Sequence, residues 1–268
     1  MSTAKPMPDT SKARPIREGF HSVTPYLTAQ QAAELLDFVK QAFGAEELLR
    51  TTGSAGGMHA EVRIDDSMIM IGGGGAWRGT PMPTAIHLYV PDTDAVYKRA
   101  LELGATSTGE PMDQFYGERS AGVKDRAGNQ WYIATHFGPK YIPEGLRAVN
   151  VYLHPRGVEQ VIDFLKQALG GEEVARYASP EGVIIHAQVR IGDSVIEMGE
   201  AHGPYQPMPT VFYLYVDDCD ALYKRALQAG ATSMSEPANQ PYGDRTAAVK
   251  DPFDNVWYIA THIKDVTL

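Results

Sequence analysis

Cysteine is all but missing from this chain: Cys219 stands alone among 268 residues. An intramolecular disulfide and a thiolate metal cage are therefore both excluded, and such usage suits a reducing compartment, so a cytoplasmic location is expected. Positive charge is also sparse. Lys and Arg number 24 against 33 Asp and Glu, a formal net charge of −9, and the basic residues are scattered, which argues against nucleic acid as a partner. No apolar run reaches the roughly 20 residues that a membrane span needs, so no membrane partner is expected. Residues 1–19 carry Lys5, Lys12, Arg14 and Arg17 together with Asp9 and several prolines, without an apolar segment. They fit neither a signal peptide nor an anchor and are expected to form a flexible tail.

What the chain does contain is itself, twice. Asp125-Arg-Ala-Gly-Asn-Gln-Trp131-Tyr-Ile-Ala-Thr-His136 returns 126 residues later as Asp251-Pro-Phe-Asp-Asn-Val-Trp257-Tyr-Ile-Ala-Thr-His262. In the same register, Tyr116-Gly-Glu-Arg119 returns as Tyr242-Gly-Asp-Arg245, and Tyr97-Lys-Arg-Ala-Leu101 as Tyr223-Lys-Arg-Ala-Leu227. A repeat of about 120 residues is the size of an ordinary domain. The expected division is a domain at 20–138, a linker at 139–145 and a second domain at 146–264.

Each repeat divides again. A β-rich run at Val23–Leu27 precedes a helical pattern with Ala33, Leu36, Val39 and Phe43 on one face, stopped at Gly44. The alternating run His59–Ile64, a turn at Asp65-Asp66 and the run Ser67–Ile71 then read as a hairpin. The glycines at 72–75 and the prolines near 81–83 read as a linker. A new strand begins at Ala85–Val90, followed by a helix capped by Asp92 or Thr93 and ended at Gly104. The second repeat follows the same plan with one extra residue before His186, so the chain holds four β-α-β-β-β modules. Alternation puts Ala60, Val62 and Ile64 toward the helices and His59, Glu61 and Arg63 on the other face. By the same parity His87 and Tyr89 oppose Ile86, Leu88 and Val90.

Paired modules bearing Pro25-Tyr-Leu27, Phe43-Gly-Ala-Glu-Glu47, His59–Ile64, His87–Val90, Tyr116–Arg119 and Asp251–Thr261 resemble the vicinal oxygen chelate superfamily, the glyoxalase, bleomycin-resistance and extradiol dioxygenase group, and within it the PhnB-like branch. The resemblance implies an α+β fold in which four βαβββ modules form two cup-shaped, eight-stranded mixed sheets with the helices outside. It leaves open whether modules pair within a repeat or between repeats. It does not fix the activity, because this scaffold hosts isomerases, lyases, dioxygenases and plain drug-binding proteins. The metal-dependent members take four ligands from the first and last strands of each module. Carried onto this chain, those positions fall on Thr24, Met70, Ala85 and Tyr132, and on Asn150, Glu197, Val211 and Tyr258. Only Glu197 among them is a strong ligand for a divalent ion, so no metal site is expected. A Ni, Zn, Mn or Fe centre built from unusual ligands such as His59, Glu61 and His87 is the lesser alternative.

Without a metal, the cups read as binding pockets. The candidate ligand-binding residues are Tyr26, His59, Glu61, Arg63, His87, Tyr89 and Tyr132 in the first repeat, and Tyr152, His186, Gln188, Arg190, Tyr213 and Tyr258 in the second. Aromatic walls with a few hydrogen-bonding groups suit a small aromatic or amphipathic molecule. The expected function is sequestration of such a molecule. The alternative is a glyoxalase- or lyase-type enzyme with Glu197 as general base, its charge otherwise met by Arg190 or by a ligand cation. A chain that carries both halves covalently is expected to act as a monomer, its own internal pseudo-dimer.

Overall fold

The computed structural model describes residues 14–266. The tail expected at 1–19 therefore lies mostly outside the described residues; its described part, 14–19, packs against the protein as set out below. Among the described residues, sixteen strands and four helices follow the modular order read from the repeats. The first module is β1 (Val23–Ala29), α1 (Ala32–Phe43), β2 (Glu46–Thr52), β3 (Met58–Ile64) and β4 (Ser67–Gly73). The second is β5 (Ala85–Tyr89), α2 (Thr93–Glu102), β6 (Thr106–Gln114), β7 (Glu118–Lys124) and β8 (Gln130–His136). The third is β9 (Val149–Leu153), α3 (Val158–Leu169), β10 (Glu172–Ala178), β11 (Ile184–Ile191) and β12 (Ser194–Met198). The fourth is β13 (Val211–Tyr215), α4 (Cys219–Gln228), β14 (Thr232–Asn239), β15 (Asp244–Lys250) and β16 (Val256–His262).

Local chemistry sets the helix limits. The Asp92 carboxylate accepts the Ala95 N–H at 3.0 Å, and Asp218 does the same for Ala221, each satisfying a first-turn donor. Gly44, in the left-handed conformation at φ 71°, closes α1 with its N–H on the Lys40 carbonyl. The buried stripe of α1 is Ala32, Leu35, Leu36, Val39, Ala42 and Phe43, so Ala33 turns outward and the stripe is rotated from the one expected. Strand β4 runs on through Gly72 and Gly73, shortening the expected glycine linker. Gly72 has a steric reason: a Cβ there would lie 2.6 Å from the Tyr26 hydroxyl, and only glycine lets that ring lie across the strand.

The strands form two eight-stranded mixed sheets, and each takes one module from each repeat. One runs β14-β15-β16-β13-β1-β4-β3-β2, joining the first and fourth modules; the other runs β10-β11-β12-β9-β5-β8-β7-β6, joining the third and second. The seams are antiparallel, β1 with β13 and β5 with β9. Modules thus cross between repeats to make the cups, while the two modules of a repeat share the helical side. In the first repeat Phe43 of α1 lies 4.4 Å from Trp131 of β8, and Arg99 donates to the Ala42 carbonyl at 2.7 Å. Arg225 repeats the bond on Ala168 in the second. The sheets are tied at their hairpin turns. Asp193 and Ser194 accept the N–H groups of Ser22 and Val23, and Asp66 and Ser67 accept those of Ala148 and Val149.

The repeated Asp…Trp stretch proves to be a structural clamp. Asp251 accepts the Trp257 indole N–H and the Asn255 side-chain amide, each at 2.9 Å, and also the backbone N–H groups of Phe253 and Asn255. Asp125 holds Trp131 and Asn129 in the same way. Both tryptophans are fully buried, so the bonds satisfy groups that have no access to water.

Candidate functional site

The concave faces carry the polar residues, as alternation requires, and the two cups differ in what fills them. In the first, the segment 14–20 lies across the opening. The Pro15 carbonyl accepts the His262 N–H at 2.9 Å, and Ile16 and Phe20 pack on Met68, Met70, Tyr213 and Tyr215. The Arg17 guanidinium stacks 4.1 Å over the Phe20 ring and forms an ion pair with Glu61, joining two contacts that each favour a cation. Glu61 also meets His59 at 3.3 Å, and the other His59 nitrogen meets the Tyr26 hydroxyl at 3.0 Å. Burial pushes the Glu61 carboxyl upward, and its bonds to His59 and Arg17 outweigh that, leaving its pKa below the usual value. Deeper in, Asp244 accepts the hydroxyls of Tyr213 and Tyr215 at 2.7 and 3.0 Å and pairs with His262 at 2.7 Å. Its polar groups are satisfied from within the chain.

The second cup is built on His87. Its Nδ1 lies 2.8 Å from Glu197 and its Nε2 3.7 Å from Glu118. Burial lowers the imidazole pKa, but the two carboxylates more than restore it, so the net shift is upward. Glu197, pushed up by burial, is carried below its usual range by His87, His186 and Gln188. Each partner thus favours the charged form of the other, and the pair replaces the Arg190 partner expected for Glu197. Gln188 adds a bond to Glu197 at 3.3 Å, and Tyr89 donates to Glu118 at 2.8 Å. Above this floor stands an aromatic wall. Tyr132 meets Tyr152 edge to face at 5.6 Å, His154 stacks on Tyr205 at 5.2 Å, and Tyr152 bonds His186 at 3.2 Å. Burial and His202 push the His154 imidazole down to about 4, so at neutral pH it is uncharged and accepts the Tyr132 hydroxyl at 2.8 Å.

The candidate residues thus fall into two sets: Tyr26, His59, Glu61, Tyr213 and Tyr258 in the first cup, and His87, Tyr89, Tyr132, Tyr152, His186, Gln188 and Glu197 in the second. Arg63 and Arg190 belong to neither. They stand where β3 and β11 reach the rim, each about half exposed and paired across to Glu46 and Glu172, because an edge strand supplies a carboxylate closer than any in the cup. The residues sequence reasoning passed over are Arg17, Glu118, His154, Tyr205 and Asp244. Glu118 and Asp244 were visible in the repeated Tyr-Gly-Glu/Asp-Arg motif, where the acid opens a strand on the cup face. Arg17, His154 and Tyr205 gave no signal, since their place depends on how the chain crosses between cups.

Strand register also corrects the row of positions that the metal-dependent relatives would use. Strand β5 aligns His87, not Ala85, with Asn150 and Tyr132, and β13 aligns Tyr213, not Val211, with Thr24 and Tyr258. The first-cup row is then Thr24, Tyr213 and Tyr258, with Met70 one pleat along beside Tyr26, and none of these is an imidazole or carboxylate. The second-cup row holds His87 beside Tyr132 and an Asn150 whose amide is tied to the Arg147 backbone, and Glu197, one pleat along beside Tyr152, is bonded to His87. Among the described residues no three His, Cys, Asp or Glu side chains converge as a metal site would require.

Two crossed eight-stranded cups of βαβββ modules define a class of scaffold, and the family comparison names it. Residues 19–133 and 153–259 match the glyoxalase/bleomycin resistance protein/dioxygenase superfamily, and the chain belongs to that superfamily. A Mycobacterium bovis protein, "Uncharacterized protein Mb0911c", is 36% identical over 132 residues, covering 45% of this chain and 87% of its own. The Streptomyces peucetius "Anthracycline biosynthesis protein DnrV" is 28% identical over 189 residues, 68% of this chain and 66% of its own. Glyoxalase I from Zea mays shares the fold at a TM-score of 0.67 with 15% identity, covering 89% of this chain and 92% of that structure. Among the described residues no helix is long and apolar enough to cross a membrane.

Proposed function

We propose that the chain binds a small aromatic or amphipathic molecule in its second cup and does so without a metal centre. The observation that carries this is the contrast between the cups. The first is filled by Ile16, Arg17 and Phe20, whereas the second presents Tyr132, Tyr152, His154 and Tyr205 around a charged floor. Rigid aromatic walls provide large contact area at low entropic cost, and a few fixed polar groups orient the guest. The donor sets support the metal-free reading: His87 and Glu197 already satisfy each other. They also weaken Glu197 as a general base, since its carboxylate accepts from His87 and Gln188 and its pKa is lowered.

The test is calorimetric titration of the full chain with a planar probe, 1-naphthol, followed by recovery of the probe. We expect one saturable site per chain and an unchanged compound. Tyr152→Ala should weaken binding about tenfold, the loss of one aromatic contact, and Tyr26→Ala in the first cup should leave it alone. Chelator-sensitive turnover of a ligand, or binding lost with Tyr26 instead, would overturn the reading.

A further inference from the structure

We infer that the second cup recognises an organic cation, an amine, amidine or guanidinium carried on a planar body, with its charge set against Glu118. The inference rests on the binding function proposed above and adds the chemistry of the guest. Its first ground is a comparison that the protein makes with itself. The backbone docks alike on both cups: His262 donates to the Pro15 carbonyl in the first, and His136 to the Tyr141 carbonyl, 126 residues on, in the second. Counting forward from those anchors, Arg17 of the first cup corresponds to Pro143 of the second. One cup therefore contains a guanidinium of its own, and the other has a proline in its place.

The carboxylates beneath follow suit. In the first cup, Glu61 takes Arg17 and His59, and Asp244 takes two tyrosine hydroxyls and His262. In the second, Glu118 stands in the place of Asp244. Its Oε1 receives Tyr89, but its Oε2 is buried and has no hydrogen-bond partner among the described residues, although the side chain is only 8% exposed. The histidine that answers Asp244 has also turned away: His136 Nδ1, across the strand pair from Glu118, is itself buried and unpartnered. Glu197 replaces Met70 and Gln188 replaces Glu61, so the cup again holds two carboxyls, with His87 between them and His186 3.9 Å from Glu197. Glu118 Oε2 is left with no hydrogen-bond donor among the described residues, His87 Nε2 lying 3.7 Å away, and a buried acceptor without a donor is costly. A cationic N–H group on a ligand is the complement, as Arg17 is in the first cup. The aromatic wall adds ring faces that favour a cation and stack on a planar body.

Benzamidine and its neutral near-isostere benzamide separate this inference from the reading it rests on. In calorimetric titration of the full wild-type chain at pH 7, benzamidine should bind once per chain and roughly tenfold or more tighter than benzamide, the scale of a charge-assisted bond. Glu118→Gln, which keeps the acceptor for Tyr89, should abolish that preference while leaving the melting temperature within a few degrees. Arg17→Ala should open a second benzamidine site in the first cup. Equal affinity for benzamidine, benzamide and 1-naphthol would overturn the cation inference and leave the aromatic pocket standing. Binding of 1-naphthol with no benzamidine binding at about 10 mM would do the same. The comparison of ligands on the wild type needs no variant, so a misfolded Glu118→Gln chain does not rescue the inference.

Discussion

Replacing Glu197 with methionine, the residue that fills its place in the first cup, isolates the energetic role of the His87 pair. Glu197 has a side chain 2% exposed and His87 one 13% exposed, their nearest atoms 2.8 Å apart. Removing one partner of a buried pair costs about 3–5 kcal/mol, because the other is left charged and desolvated. At about 2–4 °C per kcal/mol for a chain of this size, Glu197→Met should lower the melting temperature by roughly 6–20 °C near pH 6. The pH dependence has a defined sign. In the wild type the His87 pKa is raised, so its contribution is complete below the unfolded value near 6.5 and is lost as pH rises through the folded value. The Glu197 contribution is present above its unfolded value and is lost as pH falls through its lowered folded value. In the variant His87 has lost its main anionic partner and burial favours the neutral ring, so the deficit should shrink by pH 8.5. His87→Tyr with Glu197→Met rebuilds the Tyr213 and Met70 combination of the first cup, and exchanging a whole buried pair for packed groups is close to neutral. The double variant should melt within about 4 °C of wild type in scanning calorimetry. A single variant that melts like wild type, or a double variant no better than the single, would refute the reasoning.

Other outcomes follow from the same geometry. Asp251→Ala strips acceptors from Phe253 and from the buried Trp257 and Asn255, and should cost about 3 kcal/mol in urea denaturation, with the midpoint reduced and the slope unchanged. Cys219 is 1% exposed, donates to the Ile259 carbonyl, and is pushed up to about 11 by burial; it should react with a thiol reagent only in denaturant, and prompt modification of the native chain would count against this packing. The crossed cups complete both sheets within one chain, so light scattering should give a mass near 29.3 kDa; twice that value would contradict the internal pseudo-dimer.

The modular order was legible because each module announces itself by period: alternation in β3 and β4, helical spacing in α1, and a glycine or aspartate at each boundary. Strands β2, β6, β10 and β14 were counted only by analogy. They lie at the outer edges of the sheets and are largely exposed, so neither face carries the apolar alternation that marks a half-buried strand. In the site, parity placed His59, Glu61, His87, Tyr89 and Gln188 on the correct face, since side-chain direction in a strand is fixed two by two. What parity cannot give is how far along a strand the cup extends, and Arg63 and Ala85 were both misjudged for that reason. The former sits past the rim beside Glu46; the latter sits opposite Gln130, one pleat from the row that holds His87.

Crossing between repeats explains why two nearly identical halves yield unlike cups. Had each repeat closed its own cup, β1 to β4 would face β5 to β8, and the Met70 row would share a floor with His87. Because the first module meets the fourth, Met68 and Met70 lie instead with Tyr213 and Tyr215, and the floor is apolar and aromatic enough to receive Phe20. The third module brings Glu197 to His87 and Glu118, and that floor is ionic. Each substitution between the repeats is small in sequence, Met70 against Glu197, Tyr213 against His87, Asp244 against Glu118. The topology brings Glu197, His87 and Glu118 together on one side and leaves the other, with Asp244 and Glu61, to be closed by the chain's own Arg17. A duplicated scaffold thereby acquires one cup packed by Phe20 and Arg17 and one whose floor pairs His87 with Glu197.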